Sequence, residues 1–355
     1  MSYREHSKYT KSQIVNAWSH LVEDSTNEKD LAIVNEFRYS HEDITKEIKA
    51  TIEKHPKVKF SWRRLKRTPS IIHKIRRSKE KGESMRLVAM QDIWGCRAVF
   101  DSMSDIYEFV EWIESNPSEM SWFKIKWIND YLYNKDCKYN YKFPQITKLK
   151  WPKKDWYRWV HIIFEYKWND QYSGLLIELQ LRTKKQHARA TAVEIFDLMN
   201  EYKIKFWEWD NDSKKFFRRS SVVFEKDEWF KQSNYNKAKI KMKEIDNKTK
   251  ILNSLWNRAL SYSFTRWYEK EVRKKELQGD IILQINKDNN AIKVTPYHGK
   301  NIEDLKQLYL KLETEFINDD NVDIVYLSST EIELAYPNYI WDASFFIREC
   351  KKYIN

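Results

Sequence analysis

The sequence predicts an α/β (α+β) fold, and three observations carry that prediction. Two neighbouring segments, His161–Trp168 (HIIFEYKW) and Leu175–Arg182 (LLIELQLR), have strand-like patterns and are joined by a turn-like NDQYSG, as paired strands are. Segments with apolar residues at helical spacing lie before and after them. From Asp280 onward the pattern becomes strand, strand, helix, strand: DIILQIN, AIKV, a helix over 301–317, and DIVYLSS.

The elements follow in order. Residues 1 to about 58 read as helices, with Trp18, Leu21, Val22, Leu31, Ile33 and Val34 as apolar positions among charges. Residues 60–81 read as a turn and then a helix that starts at Pro69, with Ser70, Lys74 and Arg77 at helical spacing. MQDIWGCRAVF, residues 90–100, is a strand pattern interrupted by Gly95, and 104–114 a helix with Ser104 as its N-cap. Residues 115–156 are the least regular stretch and contain basic and aromatic residues in alternation, which reads as an insertion with a role or as local disorder. A helix over 184–207 and a long charged helix over 236–277 complete the first part, and a domain boundary falls near Gln278–Gly279.

Composition narrows the chemistry. Only 5 of the 355 residues are Gly, where average usage would give roughly 25. Neither G-x-x-x-x-G-K-S/T nor G-x-G-x-x-G occurs, so both common backbone cradles for phosphate are excluded. Any phosphate must be gripped by side-chain cations. These are abundant: Lys+Arg 64 against Asp+Glu 52, net +12, together with 16 Trp, 21 Tyr and 17 Phe. Basic plus aromatic is the combination that nucleic-acid backbones and bases need. Cys96, Cys137 and Cys350 are an odd, widely spaced set that fits a reducing cytoplasm. With no C-x-x-C and no H-E-x-x-H, a structural zinc is not expected. No window approaches about 18 apolar residues, so no membrane span is expected.

In LLIELQLR, period 2 puts Glu178, Gln180 and Arg182 on one face of the strand. That face is either solvent-facing or lines a site. Four segments then resemble, in order and spacing, the synthetase domain of the RelA/SpoT superfamily of pyrophosphokinases. They are Arg64-Leu-Lys66-x-x-x-Ser70-Ile-x-x-Lys74, Asp92-Ile-x-Gly95-Cys-Arg97, Tyr157-Arg158-x-x-His161, and Glu178-Leu-Gln180-Leu-Arg182-Thr183. The resemblance covers residues 60–207. It implies a mixed, mostly antiparallel five-stranded sheet flanked by helices, with a pyrophosphokinase domain over 1–278 and a small C-terminal domain over 279–355.

The same resemblance implies roles. Arg64 and Arg97 would stack on the adenine of ATP, a task that suits planar guanidinium groups. Lys66 and Lys74 would hold ATP phosphates, with Ser70 beside them, and Arg77 either joins them or stays solvated. Asp92 would hold Mg²⁺, and Glu178 would be a second metal ligand or the base for the attacking hydroxyl. Tyr157, Arg158, His161, Gln180 and Arg182 would meet the acceptor. Trp156 and Trp159 stand where the family has small residues, which puts a plain GDP or GTP pocket in doubt.

The tail, Leu334-Ala335-Tyr336-Pro337-Asn338-Tyr339, looks like the C-terminal element of fused toxic small alarmone synthetases of the CapRel type. That implies a degenerate zinc-finger-like regulatory domain whose Tyr336 and Tyr339 occupy the ATP site until a phage protein, such as a capsid protein, releases them. The first expectation is therefore an ATP-dependent toxin that modifies the 3′ CCA end of tRNA in anti-phage defence. A small alarmone synthetase making (p)ppGpp from ATP and GDP or GTP stays open. So does an inactive RNA-binding module, against which the intact Asp92 and Glu178 argue.

Overall fold

The computed structural model describes residues 9–23, 27–80, 82, 86–116, 118–119, 121–131, 144–149, 158–167, 173–199, 211–228, 235–257, 281–286, 291–296, 302–319, 321–327 and 343–354. Three helices come first: α1 (Lys11–Glu23), α2 (Glu28–Tyr39) and α3 (Glu42–Ile52). Asn27 caps α2, its side chain accepting the Asp30 N–H at 3.1 Å and satisfying a donor that a helix start leaves open.

β1 (Phe60–Leu65) follows, where the sequence reading has a turn. Both faces of this strand are buried, Trp62 on one and Arg63 and Leu65 on the other, so no clean polar face marks it as a strand. Next come α4 (Thr68–Glu80), β2 (Trp94–Phe100) and α5 (Met103–Ser115). The N-cap of α5 is Ser102 rather than the expected Ser104. Ser102 Oγ accepts the Asp105 N–H at 3.2 Å while the Asp105 carboxylate accepts the Ser102 N–H at 3.0 Å, a reciprocal capping box.

β3 (Phe123–Asp130) and β4 (Thr147–Leu149) occupy part of the stretch expected to be irregular. β5 (Val160–Tyr166) and β6 (Leu176–Thr183) are the two strands predicted from their patterns. Then come α6 (Lys184–Met199), α7 (Asn211–Glu228) and α8 (Tyr235–Thr249). The expected helix over 236–277 is interrupted early. Lys250 adopts φ 55°, and the Asp246 carboxylate accepts the Leu252 N–H at 2.9 Å as helix resumes over 251–257.

The main sheet has the order β1-β2-β6-β5-β3-β4. It is a mixed sheet, as expected, but with six strands instead of five. The sixth is β4, three residues paired in parallel with Ile128–Asp130, too short for period 2 to register. The β2–β6 pair is also parallel, and the other three pairs are antiparallel. One face of this sheet packs Ala98, Phe100, Ile162, Phe164, Leu179 and Leu181 with residues of α3 and α5 such as Ile48, Ile106 and Val110. The opposite face is left for a site.

Near the C-terminus, β7 (Ile281–Asn286), β8 (Ala291–Pro296), α9 (Ile302–Glu315) and β9 (Val322–Leu327) realise the strand-strand-helix-strand pattern. Their sheet is antiparallel, order β8-β7-β9. Ile282, Ile324 and Tyr326 of this sheet and Leu305 of α9 share one buried cluster with Trp18, Val34, Leu65 and Ile71 of the N-terminal helices, β1 and α4. The last helix, α10 (Ser344–Ile354), buries Phe346, Ile347 and Cys350 among side chains of α6, α7 and α8. The expected boundary at Gln278–Gly279 lies outside the described residues. Among the described residues no helix is long and apolar enough to cross a membrane.

Candidate active site

Strand register builds the site. One row of paired residues crosses the whole sheet: Trp62, Arg97, Gln180, His161, Asn129 and Lys148. The adjacent row is Arg64, Gly95, Glu178, Ile163 and Trp127. Directly paired residues share a face, so the polar side of LLIELQLR is the floor of a site. Gly95 sits between Arg64 and Glu178 in its row. A Cβ there would meet only the Glu178 backbone oxygen, at 3.4 Å, so this glycine keeps the floor open beside the carboxylate.

A β-bulge re-aims one side chain into this face. Phe123 and Ile125 pair with the core residues Tyr166 and Phe164, but the register shifts after Ile125, and Trp127 pairs with Ile163. An extra residue in one strand reverses which face the next side chain takes. Trp127 therefore joins Asn129, Lys148 and Tyr131 on the wall of a cleft of about 380 Å³ that also contains Lys74, Gln91, Asp92, His161, Glu178 and Gln180. Trp127 is flanked by ammonium groups, Lys126 at 5.7 Å and Lys148 at 5.5 Å from the ring centroid, within cation–π range. These wall residues are absent from the sequence reading. The signal was present in FKIKWIND, whose alternation breaks at the adjacent apolar pair Trp127–Ile128.

The floor is one hydrogen-bonded network. Gln180 Oε1 accepts from Arg97 Nε at 3.0 Å and Arg182 Nη2 at 2.9 Å, while its amide nitrogen donates to Glu178 Oε2 at 2.6 Å. The other Glu178 oxygen meets His161 Nδ1 at 2.6 Å. Burial opposes the charge on Glu178, but His161 and the Gln180 amide outweigh it and hold the carboxyl below its ordinary range.

At the opposite end, Asp92 lies between two lysines. Lys66 Nζ approaches one of its oxygens at 2.5 Å and Lys74 Nζ the other at 2.9 Å. Burial again works against ionisation, and the two ammonium groups again win, so the Asp92 carboxyl is held well below the usual range. Burial lowers the pKa of Lys66 in spite of the Asp92 charge. Asp92 and Glu178 also feel each other, since the Asp92 charge pushes the Glu178 pKa up.

The structure thus brings Lys74, Asp92, His161, Glu178 and Gln180 into one cleft, with Lys66 joined through Asp92. Ser70 and Arg77 lie on α4, half-buried, four residues before and three after Lys74. Arg64 and Arg97 share the floor face on neighbouring strands, and Arg97 lies 5.6 Å from the Trp62 ring centroid. Arg158 is buried two residues before β5. Arg182 is 1 % exposed and has the Trp159 ring over its guanidinium at 3.1 Å; it bears on the cleft through Gln180. Tyr157, Trp156, Tyr336 and Tyr339 lie outside the described residues.

A magnesium ion fits this donor set. Mg²⁺ is commonly held by one or two carboxylates, with the remaining positions left to water and substrate phosphates. Asp92 and Glu178 offer two ionised carboxylates on one cleft. Among the described residues no group of three or more His, Cys, Asp or Glu side chains could hold a metal by itself.

Residues 63–202 match the family model described as a region found in RelA/SpoT proteins. No curated protein matches the chain. Among solved structures, small alarmone synthetase 1 of Bacillus subtilis aligns at 18% identity and TM-score 0.36, over 61% of this chain and 91% of that one. Small alarmone synthetase 2 of Bacillus subtilis gives 18% and 0.38, over 57% and 93%. A GTP pyrophosphokinase family protein of Streptococcus pneumoniae gives 17% and 0.36, over 62% and 91%. The family match runs from within β1 through α6 and contains Lys66, Lys74, Asp92, His161, Glu178 and Gln180, so residues 63–202 of this chain belong to the region found in RelA/SpoT proteins.

Proposed function

We propose that the cleft binds ATP at its Asp92 end and transfers the β,γ-pyrophosphoryl group to a ribose hydroxyl at the 3′ CCA end of tRNA. The observation that carries this reading is the meeting, in one cleft of a RelA/SpoT synthetase domain, of a lysine-paired carboxylate and a histidine-paired carboxylate. Phosphoryl-type transfer is mainly positioning and charge neutralisation. Lys66 and Lys74 supply fixed cations for the triphosphate, and Arg64 and Arg97 supply flat guanidinium surfaces for adenine. Mg²⁺ held by Asp92 and Glu178 would neutralise phosphate charge. The hydroxyl oxygen bonds to the β-phosphorus, the bond from that phosphorus to the bridging α–β oxygen breaks, and AMP leaves with it. The hydroxyl proton passes to the Glu178–His161 pair. Because His161 and the Gln180 amide hold the Glu178 carboxyl below its ordinary range against its burial, Glu178 is suited to orienting the hydroxyl.

Supporting a nucleic-acid acceptor are the net charge of +12 and the Trp127 ring with two lysine ammonium groups near it, on the strand next to the sheet edge, since aromatic rings and cations together suit bases and phosphates. Incubation with ATP labelled in its β and γ phosphates, and with either tRNA or GDP, tests the acceptor. Label in tRNA is expected; label in guanosine product alone would make this chain a small alarmone synthetase instead.

The resemblance of residues 334–339 adds self-inhibition by Tyr336 and Tyr339, relieved by a phage capsid protein. Changing both tyrosines to Ala is the appropriate test, with growth arrest without any trigger as the expected result. Unchanged growth would remove the self-inhibition part of the reading. Deleting residues 330–355 would be a poor test, because it strips Phe346, Ile347 and Cys350 from a buried core.

A further inference from the structure

The donor end of the cleft is fastened to the C-terminal strand-helix unit by a buried ionic knot. Arg38 on α2 is fully buried, and its guanidinium grips the Glu313 carboxylate of α9 with both ends, at 2.7 and 3.1 Å. Its Nη2 also donates to the backbone oxygen of Lys66 at 2.8 Å. Glu313 itself accepts from the Thr68 N–H at 2.9 Å and from the Thr68 hydroxyl at 3.0 Å. Tyr309 completes it, donating its hydroxyl to Glu313 at 2.7 Å.

Thr68 is the first residue of α4. A helix start presents unpaired N–H groups and positive partial charge, and an anion placed there is stabilised. In this chain that place is taken by the carboxylate of a residue 245 positions away. The first N–H of α4 is therefore already taken by a protein carboxylate. The same carboxylate, through Arg38, also holds the carbonyl of Lys66. One residue thus fixes both members of the lysine pair on Asp92: Lys66 by its backbone, and Lys74 by the helix that carries it.

The structure assigns to Glu313 the part of a positioning residue for the donor subsite, so that the unit containing α9 completes the ATP grip. This inference rests on the reading of Lys66 and Lys74 as cations for ATP.

The test measures binding of a non-hydrolysable ATP analogue with Mg²⁺ to the full chain by titration calorimetry, which reads dissociation constant and binding-competent fraction separately. Glu313→Gln keeps the shape and removes the charge. Its dissociation constant should rise about tenfold with a near-full competent fraction, since small displacements of binding groups are costly. A fall in competent fraction with an unchanged dissociation constant would mean a merely structural role and overturn the assignment.

Lys306→Met is the control. Lys306, on the same helix, makes a buried ion pair with Glu42 of α3 rather than with Arg38, Lys66 or Thr68, and its loss should leave the dissociation constant unchanged. Equal weakening in both variants would also overturn the assignment, by showing general loosening of the unit. If Glu313→Gln does not fold, Thr68→Val carries the test. It removes only the hydroxyl contact and should weaken binding about threefold; unchanged affinity there refutes the role. Lys74→Met separates the two levels. If it leaves affinity unaltered, the ATP reading itself fails; if it weakens binding and Glu313→Gln does not, only the Glu313 assignment fails.

Discussion

The two ends of the cleft are held in opposite ways. At the Asp92 end every charge has a partner inside the protein: Asp92 with Lys66 and Lys74, and behind them Arg38 with Glu313. At the Trp127 end, an aromatic ring has two lysine ammonium groups near it, beside a three-residue edge strand. The first arrangement is fixed before any ligand arrives, as a site that stabilises developing charge must be. The second selects through stacking and long-range charge, which tolerate variation in the ligand. A donor common to a family and an acceptor particular to one member would be accommodated in this way.

The comparison can be broken most severely at Asp92. Asp92→Ala should lower pyrophosphate transfer from labelled ATP by about 10³-fold while leaving RNA retention on a filter unchanged. Unaltered growth inhibition by this variant would instead favour a non-catalytic RNA-binding module. A large effect on neither end is expected from Phe346→Ala. Phe346 is fully buried against Phe216, Phe217 and Phe224, so its loss should cost about 3 kcal/mol in denaturant unfolding. The folded variant should still bind the ATP analogue normally. Trp127→Ala sharpens the other side. It should weaken acceptor binding by about 2 kcal/mol and spare ATP-analogue affinity; equal loss of both would erase the distinction between the two ends.

The smallest effect concerns His41, buried beside Arg38 with its Nδ1 against the Phe37 carbonyl oxygen. Burial pulls its pKa from 6.5 down to about 4. The folded state therefore keeps this ring neutral while the unfolded chain takes up a proton. Stability is lost as pH falls from the unfolded value to the folded one, about 1.4 kcal/mol by roughly pH 5.5. His41→Gln should flatten that part of the unfolding-versus-pH curve. His55, whose pKa burial also lowers, leaves a residual slope in both proteins.

Much of the site was legible because its residues lie on short contiguous motifs. Glu178 and Gln180 announce themselves by alternation in one strand, and Lys74 by helical spacing from Ser70. Trp127, Asn129 and Lys148 were not legible, because a one-residue bulge decides which face Trp127 takes and a three-residue strand brings Lys148 alongside. β1 was hidden by burial on both sides. The knot of Arg38, Thr68 and Glu313 leaves no local trace at all: its members are ordinary charged and polar residues whose meaning comes from a separation of 275 residues between the two charges.

That separation has a consequence in time. During synthesis Arg38 and Thr68 leave the ribosome long before Glu313 exists. At about 5–20 residues per second the gap from Thr68 to Glu313 lasts on the order of tens of seconds. Throughout it, the first turn of α4 lacks its long-range carboxylate partner and Arg38 lacks its counter-ion. The nascent chain therefore passes through a long period with its Asp92 end unfinished, until the segment that carries Glu313 has been made.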